Sequence, residues 1–390
     1  MRNTADIDQV LQQEVVRGGV PGVVAAAADP SGCFYRGAFG RRSLAADAPM
    51  TLDTVFRIAS MTKAVTAVAA MQLVEQGRIG LDQPAGEILP SLANPLVLEG
   101  FDPAGQPRLR PARGTITLRN LLTHTSGFVY DTWNENMNRY CQEYGLPAAR
   151  TGRLASLDAP LGFDPGERWE YGIGIDQAGR IVEAVTGQDL ETYMQEHILL
   201  PLGMRDTSYV PRPEWNSRLA TVHARQPDES LAPLNTPLPT TRPEFFPGGG
   251  GLFSTVPDYL IFLQGLMHGG EWQGRRILQP ETVALMARNH IGDLEVATMR
   301  SVNPRMSNQV ELFPGMSKKW GLSFLINAED TPAGRSAGSL AWAGLNNTYY
   351  WLDPTKRIAG VLMTQVLPFA DRTVLDLLDR FEMAVYRAAT

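Results

Sequence analysis

The sequence predicts an α/β (α+β) fold. One antiparallel sheet is built from strands near the two ends of the chain and flanked by helices, with a helical lobe beside it. Three observations lead there. Gly22–Ala28 and Cys33–Gly40 are apolar or mixed runs separated by the turn residues Asp29-Pro30-Ser31-Gly32, which reads as a β-hairpin. Strand-like segments return only after residue 316. Between them lie patterns of helical spacing broken by loops. Strands from both ends can then share one sheet, covered by terminal helices. The expected lobes are 1–59 with 317–390 (α/β) and 60–316 (mainly helical).

The elements follow in order. Ile7, Val10, Leu11 and Val15 recur at helical spacing ahead of the hairpin. A helix is predicted from about Ser60 to Gln76, stopped by Gly77. A proline-rich stretch follows, from Pro84 to Pro111. Two further helical patterns cover Asp176–Val185 and Leu190–Leu200, the second ended by Pro201. Residues 211–247 are proline-rich and polar without periodicity, and read as a long surface loop. A helix over Pro257–Met267 comes next. Trp320–Asn327, Ser339–Leu352 and Arg357–Gln365 read as three strands, and Thr373–Ala388 as a last amphipathic helix.

Composition narrows the class. The chain has 390 residues, 44% hydrophobic and 19% charged, which is enough to bury a large core. Its net charge of −6 comes from 35 basic and 41 acidic residues, with no basic run to suit nucleic acid. No apolar stretch is long enough to span a bilayer. The N-terminus lacks the apolar core of a secretory signal, so a cytoplasmic location is expected, with a trimmed signal as the alternative. Cys33 and Cys141 make no disulfide framework and read as reduced packing residues. Neither a metal nor a cofactor is expected, and the oligomeric state is open.

Two serines compete for a chemical role. Gly334-Arg335-Ser336-Ala337-Gly338 matches G-x-S-x-G, which needs a strand before the serine and a helix after it. Here a polar, proline-broken segment precedes Ser336, a strand-like one follows, and no histidine comes after His290. This motif therefore reads as a turn. Ser60-Met61-Thr62-Lys63 is different. Three residues along a helix return to nearly the same face, so the hydroxyl and the amine can meet. Ser60 at a helix N-terminus would find unpaired N–H groups for a developing oxyanion. The apolar residues around Lys63 favour its neutral amine. An activated serine needs no histidine under these conditions.

Further motifs follow in order: "LLTHTSGF" (Leu121–Phe128), "WEYGIG" (Trp169–Gly174), "LLPLGM" (Leu199–Met204), "GGGGLFST" (Gly248–Thr255) and "WAGLNN" (Trp342–Asn347). Together with Ser60 and Lys63 they resemble the serine β-lactamase and penicillin-binding-protein superfamily, near its class C branch. The subgroup most similar is the family VIII carboxylesterases. The resemblance runs from about Gln9 to the final helix. It implies a β-lactamase/transpeptidase-like fold and a single catalytic domain over 1–390.

By this resemblance Ser60 is the acylated nucleophile, Lys63 its partner, and Tyr171 the base of a Y-x-N-type motif. A nearby ammonium would lower the phenol's pKa, and the three groups would share protons. Trp342-Ala343-Gly344 stands where the family carries K-T-G. Leu345 and Ser60 would supply the oxyanion-hole N–H groups, and Gly344 room for the substrate. Trp342 replaces a lysine and Ile173 an asparagine, exchanging polar recognition for apolar surface. The implied activity is a serine carboxylesterase acting on small to medium acyl esters through an acyl-enzyme on Ser60. The alternatives are a transacylase, or a weak β-lactamase or D-Ala-type peptidase. Phe128, Tyr130 and Trp133 are candidate walls of the acyl pocket or plain core. Asp176 could orient Lys63 or Tyr171, or simply cap its helix or lie at the surface. His124 reads as a structural hydrogen-bonder, and Gly248–Gly251 as tight backbone passage beside the site.

Overall fold

The computed structural model describes residues 2–389. Strands β1 (Gly22–Asp29), β2 (Gly32–Ser43) and β3 (Ala48–Pro49) come from the N-terminal part. Strands β4 (Lys318–Trp320), β5 (Leu325–Asn327), β6 (Leu340–Gly344), β7 (Thr348–Asp353) and β8 (Ile358–Met363) come from the C-terminal part. They form one eight-stranded sheet in the order β4-β5-β6-β7-β8-β1-β2-β3, and the neighbours run antiparallel. The two ends of the chain are joined by β1 and β8, where Ala26 faces Val361.

Every residue of β1 is buried, including Ala25 to Ala28. A strand covered on both faces carries no polar alternation, and alanine lets helices approach closely. The flanking helices are α1 (Ala5–Val16), α4 (Val256–Met267) and α5 (Arg372–Ala389), with α2 (Thr62–Glu75) and α3 (Gly174–Thr186) in the middle of the chain. Helix α1 packs on α5, and α4 packs on β1 and β8. In α5, Val374, Leu377, Leu378, Phe381, Ala384 and Val385 make one buried stripe at helical spacing. Helix α2 is buried from Thr62 to Leu73, so its all-round apolar sequence marks a core helix. Although α4 lies between residues 60 and 316, it packs mainly on the sheet.

Four expectations change. The predicted strand Trp320–Asn327 is a hairpin, because Ser323 at φ 75° turns the chain between β4 and β5. The predicted strand Ser339–Leu352 likewise folds back at Leu345–Asn347, with Asn347 at φ 58°. Asparagine tolerates that left-handed conformation, which a periodicity argument does not register. Residues 211–247 are more ordered than a surface loop. They hold a 3₁₀ turn (Pro213–Ser217) around the fully buried Trp215, and a small sheet formed by His223–Arg225, Leu231–Pro233 and Val366–Leu367. Cys33 is exposed on β2 and Cys141 half-buried, so the first is not a packing residue; both are free thiols. Among the described residues no helix is long and apolar enough to cross a membrane.

Candidate active site

Ser60 lies on a 3₁₀ turn, Ala59–Met61, ahead of α2 and not on the α-helix itself. Ala59 has φ 42°, a left-handed conformation that costs a non-glycine residue about 1 kcal/mol or more. The bend is enforced on both sides. Phe56–Arg57 pairs with Phe253–Ser254, and β6 packs against the turn. Ser60 stays partly exposed, while Met61, Thr62 and Lys63 are buried.

The Lys63 side chain is fully buried. Its Nζ lies 3.0 Å from Ser60 Oγ, 3.0 Å from Tyr130 Oη and 2.6 Å from the Gly249 carbonyl. Burial pulls its pKa down to about 7, against the opposing pull of the Asp176 carboxylate. Near neutral pH both protonation states are therefore populated. Asp176 sits in the first turn of α3 and is only 1% exposed, so a surface role is excluded. Its Oδ1 accepts the Gly249 N–H at 2.9 Å, while Oδ2 is buried with no hydrogen-bond partner among the described residues. Burial raises the Asp176 pKa, and Lys63 and the Gly249 N–H pull it back.

Gly249 thus links Lys63 to Asp176 through its own peptide groups. A Cβ there would fall 2.7 Å from Asp176 Oδ2 and 3.0 Å from Tyr130 Oη. Gly248 is as constrained, since a Cβ would lie 2.5 Å from the Ile175 carbonyl. Its own carbonyl accepts from Thr66 Oγ1 on α2. The glycine run is therefore a connector between α2 and α3 that only a backbone without side chains can make.

Tyr171 is buried just before α3. Its hydroxyl faces Ser60 and accepts the indole N–H of Trp342 at 3.1 Å. Burial pushes its pKa up, and Ser60 and the Trp342 indole offset that only in part. The expected lowering by an ammonium is thus overturned, because Tyr171 sits in a dry aromatic cluster. Its ring centroid lies 5.1 Å from Tyr130, 5.3 Å from Trp133, 5.0 Å from Trp342 and 4.7 Å from His124. His124 is buried at φ 58°, and its Nδ1 accepts the Gly172 N–H. Burial, with Lys63 nearby, holds it neutral.

The remaining predicted residues divide. Leu345 is half-buried in the turn after β6, with its neighbour Gly344 against the Ser60 turn. A Cβ on Gly344 would lie 2.3 Å from the Ile58 carbonyl. Gly344 therefore lets β6 approach the backbone that leads into the Ser60 turn. Trp342 is buried and meets Trp320 edge-on, so it offers more than apolar surface. Phe128 is buried in the main core, with its carbonyl against Gly172. Ser336 lies in a turn leading to β6, its N–H on Asp353, beside the buried Arg335–Glu382 ion pair.

Two contacts escaped the sequence reading. Tyr130 was expected as a wall, yet its hydroxyl reaches Lys63. Trp342 was expected as a lost cation, yet it donates to Tyr171. Both partners lie far apart in the chain, so spacing carries no signal of them. Among the described residues no His, Cys, Asp and Glu group is arranged to hold a metal ion. The arrangement as a whole can move the Ser60 proton onto a neutral amine within a largely dry pocket.

The beta-lactamase family model matches residues 7–382. Monacolin J acid methylbutanoyltransferase of Aspergillus terreus is 35% identical over 385 residues, covering 94% of this chain and 92% of that protein. Lovastatin esterase of Penicillium rubens is 32% identical over 394 residues, covering 98% of each. Unliganded simvastatin synthase from Aspergillus terreus superposes with a TM-score of 0.83 at 33% identity, over 98% of both chains.

Proposed function

The chain belongs to the beta-lactamase family, and from that premise we propose that it is a serine acyltransferase with Ser60 as nucleophile. The acyl group passes from an ester or thioester donor to an alcohol. Sequence reading alone placed hydrolysis first. Relatives named as methylbutanoyltransferases over nearly the full length support transfer ahead of it. A relative named as an esterase keeps hydrolysis as the second reading.

The observation that carries the chemistry is the 3.0 Å contact between Ser60 Oγ and the buried Lys63 amine. In this reading neutral Lys63 takes the Ser60 proton as Oγ bonds to the acyl carbon. The N–H groups of Ser60 and Leu345 hold the resulting oxyanion, an interaction worth a few kcal/mol. The bond to the donor oxygen or sulfur then breaks. Lys63 returns the proton to that atom, with the Tyr171 phenol as relay beside Ser60. An acceptor hydroxyl next attacks the Ser60 ester and gives its proton to Lys63. Ser60 Oγ leaves and regains it. No net proton is consumed. Trp342 and Ile173 offer neither cation nor amide to a substrate carboxylate or amide, which favours neutral esters over β-lactams.

The substrate class we propose is a short acyl chain of the methylbutanoyl kind, with a hydroxyl-bearing acceptor. The test is partitioning. With p-nitrophenyl butyrate and added butanol, butyl butyrate should outweigh butyrate at alcohol concentrations far below that of water. Butyrate as sole product would overturn transfer in favour of hydrolysis. Ser60→Ala should abolish both products.

A further inference from the structure

Lys63 has three polar neighbours, and they are not equivalent. The Gly249 carbonyl can only accept, and at 2.6 Å it is the shortest contact. Ser60 Oγ and Tyr130 Oη, each at 3.0 Å, can donate or accept. An ammonium has three N–H groups and satisfies all three partners. A neutral amine has two N–H groups and one lone pair. One N–H is committed to Gly249, so the other N–H and the lone pair must be divided between Ser60 and Tyr130. If Tyr130 donates to the lone pair, the amine offers Ser60 an N–H and cannot take its proton. If Tyr130 accepts, the lone pair faces Ser60.

We propose that Tyr130 is a positioning residue which, by accepting an N–H from Lys63, turns the amine's lone pair toward Ser60. This rests on the reading of Ser60 as nucleophile. The site holds Tyr130 in place beside Lys63. Its backbone N–H bonds the Tyr171 carbonyl, and its ring packs on Trp133, whose indole N–H is held by Ser307. A Cβ on Gly249 would meet both Asp176 Oδ2 and the Tyr130 hydroxyl, and the nearby carboxylate charge favours the Tyr130 O–H dipole turned toward Asp176 with its lone pairs toward Lys63. Burial also keeps Tyr130 a phenol, so it can accept without competing as a base. Position 173, where the family motif carries an amide, is the apolar Ile173, and Tyr130 reaches the lysine from a separate loop.

Tyr130→Phe removes one oxygen and keeps the ring. Two changes are expected in acylation by p-nitrophenyl butyrate, with rates normalised to fluorophosphonate-titrated sites. The plateau rate falls about ten- to hundredfold, as for loss of a hydrogen bond to a charged or proton-transferring group. The acidic limb of the pH–rate profile moves to lower pH, because the ammonium has lost one of three acceptors. A structural role alone would lower the titrated sites and leave the limb in place. A plateau within about twofold of the parent, or an unmoved limb, overturns the proposal. Should the variant not fold, 3-fluorotyrosine at position 130, a weaker acceptor, must lower the plateau and move the limb the same way by less. Ser60→Ala is assayed in parallel. If it stays active, the nucleophile reading falls and takes this one with it. If it is dead while Tyr130→Phe behaves as the parent, only the role of Tyr130 falls.

Discussion

The indole N–H of Trp342 donates to the Tyr171 hydroxyl at 3.1 Å, so a residue that the family resemblance sets at the place of a lysine still touches the site's phenol. A neutral donor favours negative charge on that oxygen less than an ammonium would. Trp342→Phe keeps an aromatic ring against Trp320 and removes the donor. Acylation by p-nitrophenyl butyrate should slow about tenfold, the worth of one such hydrogen bond, with little change in Tm. An unchanged rate would mean that the contact plays no part in the reaction.

The proton balance of Lys63 sets a pH dependence. Its pKa is drawn down to about 7, and only the neutral amine can accept from Ser60. The acylation rate should therefore be half-maximal near pH 7 and fall below it, approaching tenfold per pH unit. Tyr171, with its pKa raised, adds no alkaline fall within the ordinary working range. Pre-steady-state rates across that range check both limbs.

Asp176 opposes the effect of burial on Lys63. Asp176→Asn can still accept the Gly249 N–H but no longer favours the ammonium. The acidic limb should shift to lower pH by about one unit, as for removal of one nearby charge. Below the parent's limb the variant should then be the faster enzyme relative to its own plateau. An unmoved limb would mean that Asp176 is already protonated in the free enzyme.

Gly344→Ala would place a methyl 2.3 Å from the Ile58 carbonyl and 2.3 Å from Thr348 Oγ1. Strand β6 must then move away from the Ser60 turn. Overpacking of this kind costs about 1–3 kcal/mol, which should be visible as a lower Tm. A shift of the order of 1 Å at the nucleophile should cost about a hundredfold in kcat/KM.

Ser336→Ala should leave ester turnover and acyl transfer within about twofold of the parent, since a substitution away from the chemistry has small effects. A loss of activity there, with activity kept in Ser60→Ala, would reverse the assignment of the nucleophile.

Much of this site is legible in the chain because it depends on local geometry. Ser60 and Lys63 are three residues apart, and any helical turn brings them together. The turn character of the Ser336 motif also follows from its neighbours in sequence. The hairpins after Trp320 and Gly344 were missed because single left-handed residues, Ser323 and Asn347, reverse the chain inside runs of strand-forming composition. The ordered parts of 211–247 were missed because their partners lie far away, at Val366–Leu367.

By itself the sequence determined the spacing that lets Ser60 meet Lys63 and the sheet shared by the two ends of the chain, both properties of residue type and short spacing. The exchange of a cation and an amide for Trp342 and Ile173 is what the family resemblance implies. Only the tertiary structure decided where protons can go. Tyr130, Gly249 and Asp176 come from separate segments, and they surround Lys63 because α2, α3 and the glycine run pack without intervening side chains. That packing also excludes water, and exclusion of water is what lowers the lysine's pKa and raises the phenol's. The apolar run around Lys63 already signals its burial, but the groups that line the lysine depend on the whole fold.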